Sequence, residues 1–195
     1  MSSRVDCVAV AAPLRKLRAL RDALVAAREL SLLDPDERQG LRRLARYAAE
    51  ESVRPARAPG ISPDAAISPL ASLRFTERVE IGPRANIGPF CCVWGGWSRT
   101  WARVGAGALL SPGVVLVAGN HRIGDPGPIR DTGFDELDVE VGPGAWIGAH
   151  AVIVGCRVGA GAVVGAGAVV LADVPDGAIA VGAPARVVGT RPLPA

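Results

Sequence analysis

Aliphatic residues recur every six positions through much of the chain: Ile81, Ile87, Val93; Val104, Leu110, Leu116; Val141, Ile147, Ile153; Val158, Val164, Val170. In seven of the eight first and second positions the next residue is glycine, with Ser111 as the exception. A small residue follows four later, as Ala85, Ala108, Ala145, Ala151, Ala162 and Ala168. Ile61, Ile67 and Leu73 keep the same spacing, with Ser-Pro after the first two, and read as a degenerate opening coil. A period of six matches neither the 3.6 of a helix nor the alternation of a long strand. Three short strands joined by tight turns make a triangular coil, and coils stack at strand spacing, about 4.8 Å. The pattern predicts a mainly β chain, a parallel β-helix with aliphatic side chains inside and glycine or alanine at the corners. There a larger side chain would collide, or φ would need to be positive.

Residues 1–57 carry a different period. Leu17, Leu20, Leu24 and Ala27 form one apolar stripe at helical spacing. Asp34, Pro35 and Glu37 stand at the N-cap, N1 and N3 positions of a second helix, which presents Leu41, Leu44, Ala45 and Ala48. The stretch Pro55 to Gly60 reads as a linker. The sequence therefore divides into a small helical N-terminal region, 1–57, and a β-helix domain, 58–195. Two short helices with one stripe each must pair and pack on something else. They read as a cap or an oligomer contact, with substrate selection as the alternative.

Composition sharpens this picture. Only one of the 24 glycines, Gly40, precedes Gly60, and aromatic residues make up only 4%, as a narrow prism requires. A net charge of +3 with no long basic run excludes nucleic acid as the expected partner. The apolar stretch 141–172 contains Arg157 and a regular glycine period, which argues against a membrane helix. The N-terminus shows no basic segment leading into a clean apolar run. Cys7, Cys91, Cys92 and Cys156 have no metal-ligand spacing and read as reduced thiols. A soluble cytoplasmic protein without a metal is expected.

Three interruptions of the repeat hold the candidate chemistry. Val93 to Val104 spans eleven positions and holds Trp94, Trp97 and Trp101; Ile153 to Val158 spans five. Leu116 to Val141 spans twenty-five, forming a long loop at 117–138 that includes Asn120 and His121, one of only two histidines. His121 is the candidate general base, because imidazole can accept a proton at neutral pH. His150 reads as a packed or solvent-facing residue. Cys91 and Cys92 could in principle carry an acyl group, although buried structural thiols are commoner.

Asn120-His121, Pro128-Ile129, Gly133-Phe134, Asp138-Val139, Trp146 to Ala149, Val164 to Gly167, Asp173 to Pro175 and Gly182 to Arg186 follow in order. This set, within roughly 60–191, resembles the hexapeptide-repeat acyltransferases, and among them the sugar O-acetyltransferase and maltose/galactoside acetyltransferase group. The resemblance implies a left-handed parallel β-helix, a homotrimer, and acetyl-CoA (or another acyl-CoA) bound between subunits. It implies His121 as the catalytic base, Asn120 and Asp138 on the acceptor, and Trp146, Gly148, Ala149, Ala166, Gly167 and Arg186 on the cofactor, with Arg191 as a further phosphate candidate. Leu171-Ala172 stand where many relatives have a Thr-Lys pair, and Val93 where galactoside enzymes have an asparagine.

The expected reaction is direct transfer of acetyl from acetyl-CoA to a hydroxyl of a small molecule, a sugar or sugar-bearing metabolite. The alternatives are N-acetylation of an amino sugar or antibiotic, and a non-catalytic trimeric scaffold. A zinc carbonic anhydrase on the same prism needs three histidine ligands, and two histidines per chain cannot supply them at each of three equivalent sites.

Overall fold

The computed structural model describes residues 34–48, 50 and 55–192. The stripe expected at Leu17–Ala27 lies outside the described residues. The chain separates into two compact units, Met1–Arg46 and Tyr47–Ala195. The helix Pro35–Ala48 begins at the cap read from sequence. Asp34 Oδ1 accepts from the Asp36 and Glu37 N–H groups, both at 2.8 Å, and Glu37 Oε2 accepts from the Asp34 N–H at 2.9 Å. This reciprocal box satisfies donors that the first helical turn leaves without intrahelical partners. Leu41 and Leu44 are exposed.

From Ile61 onward the chain winds as a three-sided parallel coil. The first face stacks Val79–Ile81, Ala102–Val104, Val139–Val141 and Arg157–Val158. Bridges from Ile61 to Ile81 and from Val158 to Val174 extend this face at both ends. The second stacks Ala66–Ile67, Asn86–Ile87, Leu109–Leu110, Trp146–Ile147, Val163–Val164 and Ala178–Val181, closed by an antiparallel strand Arg186–Thr190. The third stacks Ser72–Arg74, Cys92–Trp94, Val115–Val117, Val152–Val154 and Val169–Val170. Ile61, Ile67 and Leu73 each pair with the coil above, so the degenerate opening coil is a true one.

Register puts equivalents over one another: Ile87, Leu110, Ile147 and Val164 form one inward column, Val93, Leu116, Ile153 and Val170 another. The small residues four positions on, such as Ala108, Ala145 and Ala151, are fully buried. The two reasons for small corners fall on different residues. The glycine after each aliphatic position is required by close approach of the next coil: a Cβ on Gly142 would lie 2.6 Å from the Ala160 nitrogen, and one on Gly148 2.5 Å from the Ala166 nitrogen. Positive φ belongs to the position two further on, as at Gly144 (+64°), where a Cβ would meet nothing. His150 occupies the corresponding left-handed corner with φ +58°, a conformation that costs a non-glycine residue energy.

The outward sides of the faces differ. On the first face Glu80, Arg103, Glu140 and Arg157 lie in register, an alternating charge ladder with ion pairs of 3.3 Å (Arg103–Glu80) and 3.7 Å (Arg157–Glu140). The second presents Leu109, Trp146, Val163 and Ile179 in register, and the third Cys92, Val115, Val152 and Val169.

All the breaks in the repeat fall on the edge between the third and first faces. That edge carries Phe75–Arg78, Gly95–Thr100, the 117–138 loop and the short Gly155–Cys156 turn, in successive coils. The other two edges keep their glycine-tight corners, so extra chain is accommodated on one side only. Ile147 is fully buried between two coils; Ile147→Ala is expected to lower unfolding free energy by about 2–5 kcal/mol. Glu140→Gln, which removes only a half-exposed charge, is expected to change it by less than about 1 kcal/mol. Urea unfolding of both variants checks the pair.

Candidate active-site cleft

Segments distant in sequence meet because their coils are stacked. The long loop leaves the prism through a short strand, Asn120–His121, which pairs antiparallel with Phe134–Asp135, His121 opposite Phe134. The His121 and Phe134 rings are 4.3 Å apart. Phe134 stacks on Trp97 of the coil below (5.6 Å, planes 8° apart), and Trp97 meets Phe75 of the coil below that (5.3 Å). Together with Trp94, Val117, Arg74, Asn120 and Glu136 they line a cleft of about 370 Å³.

The insertion is held by charge-assisted hydrogen bonds. Glu136 accepts from the Ser98 N–H (2.7 Å), the Ser98 hydroxyl (2.6 Å) and the Arg99 N–H (3.3 Å). Those bonds, the Ser98 hydroxyl foremost, hold its carboxyl below the usual glutamate range. Arg78 donates from below to the Gly96 and Trp97 carbonyls at 2.7 and 3.0 Å. The buried Thr100 hydroxyl donates to the Ala118 carbonyl at 2.8 Å, tying the insertion to the root of the loop.

His121 is half-buried, and its Nδ1 is enclosed with no hydrogen-bond partner among the described residues. Asn120 Oδ1 accepts the His121 backbone N–H at 2.9 Å. Asp138 lies outside the cleft lining: Oδ1 accepts from the Trp101 N–H at 2.8 Å and Oδ2 from Arg103 at 2.7 Å. Partial burial opposes ionisation of Asp138, but these donors outweigh it and hold the carboxyl below its ordinary range.

The residues expected on the cofactor lie elsewhere in the prism. Trp146 is half-exposed on the second face, its Nε1 donating to the Ser111 hydroxyl at 3.0 Å. Gly148-Ala149 and Ala166-Gly167 form stacked turns on the edge between the second and third faces, bonded through Gly167 N–H to the Ala149 carbonyl at 2.8 Å. The Gly148 N–H is also used within the prism, toward the Val164 carbonyl, whereas the Ala149 and Ala166 N–H groups carry no hydrogen bond among the described residues. Arg186 is exposed on the last strand, donating to the Ala185 carbonyl. Arg191 bonds through its backbone N–H to the Gly177 carbonyl. Within one chain the third face therefore separates this group from His121.

The buried thiols of Cys91 and Cys156 do not suit nucleophilic work. Burial pushes the Cys91 thiol up, and Cys156 up to about 11; Cys91 donates to the Ser111 carbonyl at 3.1 Å. Reading residue types alone missed Phe75, Trp97, Phe134 and Glu136 as cleft residues, although the eleven-residue gap had marked the segment that carries Trp97.

No family model matches the chain. A probable acetyltransferase of Mycobacterium tuberculosis (strain ATCC 25618 / H37Rv) is 36% identical over 124 residues, 63% of this chain. The chain spans 38% of that curated relative's length. Among solved structures, a hexapeptide-repeat acetyltransferase of Vibrio cholerae complexed with acetyl-CoA superposes with TM-score 0.63 at 22% identity, over 76% of this chain and 83% of that one. AntD, an N-acyltransferase from Bacillus cereus in complex with dTDP and 3-hydroxybutyryl-CoA, does so with TM-score 0.57 at 21% identity, over 67% and 81%. The fold is the left-handed parallel β-helix of the hexapeptide-repeat acyltransferases. Among the described residues no helix is long and apolar enough to cross a membrane.

Glu136 gives this cleft an acid limit. Its folded-state pKa is depressed, so its stabilisation is present above the unfolded value, about 4.3, and is lost as pH falls through the lower folded value. Near-UV circular dichroism from the stacked Trp97 is expected to fall in that acid window, and to be already reduced at neutral pH in Glu136→Ala. A signal as strong in the variant as in the parent would contradict this anchoring.

Proposed function

We propose that the chain is an acetyl-CoA-dependent acyltransferase that passes acetyl directly to a hydroxyl of a small-molecule acceptor, a sugar or sugar-bearing metabolite, with His121 as general base. The observation that carries this reading is the setting of His121: its Nδ1 is enclosed, which leaves Nε2 as the nitrogen able to meet an acceptor in the cleft. His121 takes the acceptor proton as the oxygen attacks the thioester carbonyl. The tetrahedral intermediate collapses, the C–S bond breaks, and the proton passes to the departing CoA thiolate. Asn120 orients the base through its bond to the His121 N–H and turns its amide toward the acceptor. Asp138 holds the Trp101 corner beside the cleft.

The turns at Gly148-Ala149 and Ala166-Gly167 fit a pantetheine arm: two amides, Ala149 and Ala166, stand on one edge without partners among the described residues, able to donate to its carbonyls. Trp146 provides an adjacent apolar wall, and Arg186 a cation for phosphate. Because one chain keeps these turns and His121 on opposite edges of the third face, a complete site requires a second copy. The apolar outer sides of two faces supply surface for a homotrimer, since large exposed apolar walls mark interfaces. Nucleic acid, membrane and metal have no part in this mechanism. Its thioester substrate and its reduced thiols suit the cytoplasm.

N-acetylation is the second reading, favoured by AntD's being an N-acyltransferase on the same fold; the same base and cleft would deprotonate an ammonium acceptor. A panel of paired hydroxyl and amine acceptors separates the two. His121→Ala is expected to leave acetyl-CoA binding near the parent value in thermal-shift titration and to lower turnover by about 10² to 10⁴. Retention of most activity would remove His121 from the mechanism. Sedimentation equilibrium is expected to give three times the 20.0 kDa chain mass; a monomer at micromolar concentration would sink the shared site.

A further inference from the structure

The aromatic tier beside His121 bears on what the acceptor is. Trp97 is 63% exposed although it contacts rings on two sides. A large apolar ring left open in a cleft is a surface waiting for another flat group. Most polar atoms around it are committed. Both Glu136 oxygens accept bonds from Ser98 and Arg99, Asn120 Oδ1 accepts from His121, and Trp94 Nε1 donates to the Ser72 hydroxyl at 3.2 Å. The Arg74 guanidinium lies 4.9 Å over the Trp94 ring. A polyhydroxylated ring entering this space would find the Asn120 amide and His121 Nε2 for some of its hydroxyls and leave others desolvated, at a cost for each.

We propose that Trp97 is an acceptor-specificity residue, and that the cleft selects acceptors presenting a flat, hydroxyl-poor ring, aryl or deoxy, to its exposed surface. The nucleophilic group sits on that ring's edge or on an attached unit, within reach of His121. The inference rests on the transferase reading for its chemistry but not for its binding step. Trp97 exists in the cleft because Val93 to Val104 is five residues longer than the repeat. Phe134 stacked over it and the Arg78 bonds from below to the Gly96 and Trp97 carbonyls keep the platform in place.

The test compares phenyl, cyclohexyl and methyl β-glucosides as probes, by calorimetric titration in the presence of CoA and by thiol release from acetyl-CoA. The phenyl glucoside is expected to bind at least about tenfold tighter than the methyl, and tighter than the more apolar but non-planar cyclohexyl. Trp97→Ala should bring the phenyl-to-methyl ratio near one, and Trp97→Phe should keep part of it. Equal binding of phenyl and methyl, no binding of either, or a ratio that survives Trp97→Ala would overturn the proposal. If Trp97→Ala fails to fold, the phenyl-to-cyclohexyl preference of the parent and of Trp97→Phe decides. Trp97-dependent phenyl binding without thiol release supports the platform and removes the transferase reading. Thiol release at equal kcat/KM for all three glucosides keeps that reading and removes the platform.

Discussion

Everything in the β-helix follows from the closeness with which one coil lies on the next. Coils bond through backbone N–H and carbonyl groups at strand spacing, and two of the three corners come so near that a single Cβ would strike backbone. Gly142 against Ala160 and Gly148 against Ala166 are such contacts. Inward columns such as Ile87, Leu110, Ile147 and Val164 then fill a prism too narrow for aromatic rings. The aromatics are therefore displaced outward, and the tier beside His121 is where Phe75, Trp97 and Phe134 collect.

The same constraint locates the chemistry. A coil whose other two corners are fixed by packing can lengthen at the third alone, and every insertion in this chain lies there. Because each coil sits on its predecessor, insertions separated by tens of residues become neighbours. Phe75, Trp97 and His121 belong to three successive coils and share one cleft. Hydrogen bonds crossing between coils, Glu136 to Ser98 and Arg78 to Trp97, turn three loops into one wall. A side chain on such a wall, His121 included, is positioned by the stacked coils as well as by the loop's own conformation.

The three faces differ in the surface they offer to water. The Glu80–Arg103–Glu140–Arg157 ladder suits water, whereas the rows through Trp146 and Val152 do not. The turns expected to hold acetyl-CoA lie on the edge where the two apolar faces meet, and His121 on the edge where the third face meets the charged one. Burying the apolar faces against further copies would thus be the event that assembles a site.

Local chemistry made several features legible in the sequence. The hexad period gave away the parallel coil, because only a stacked turn repeats every six residues. Asp34 and Glu37 announced the capped helix, because a capping box needs nothing beyond four consecutive positions. The loop with Asn120 and His121 was visible as the largest break in the period. Tertiary structure decided the rest, because it depends on which residues are adjacent across coils. Asp138 is placed on the acceptor only by the family resemblance, and its bonds to Trp101 and Arg103, which engage both its oxygens, come from adjacency across coils. Trp97 reads as one tryptophan among three, yet adjacency to Phe75 and Phe134 makes it the floor of a cleft. Sequence specifies each coil through short-range packing, while the site arises from the vertical register between coils, which no single repeat contains.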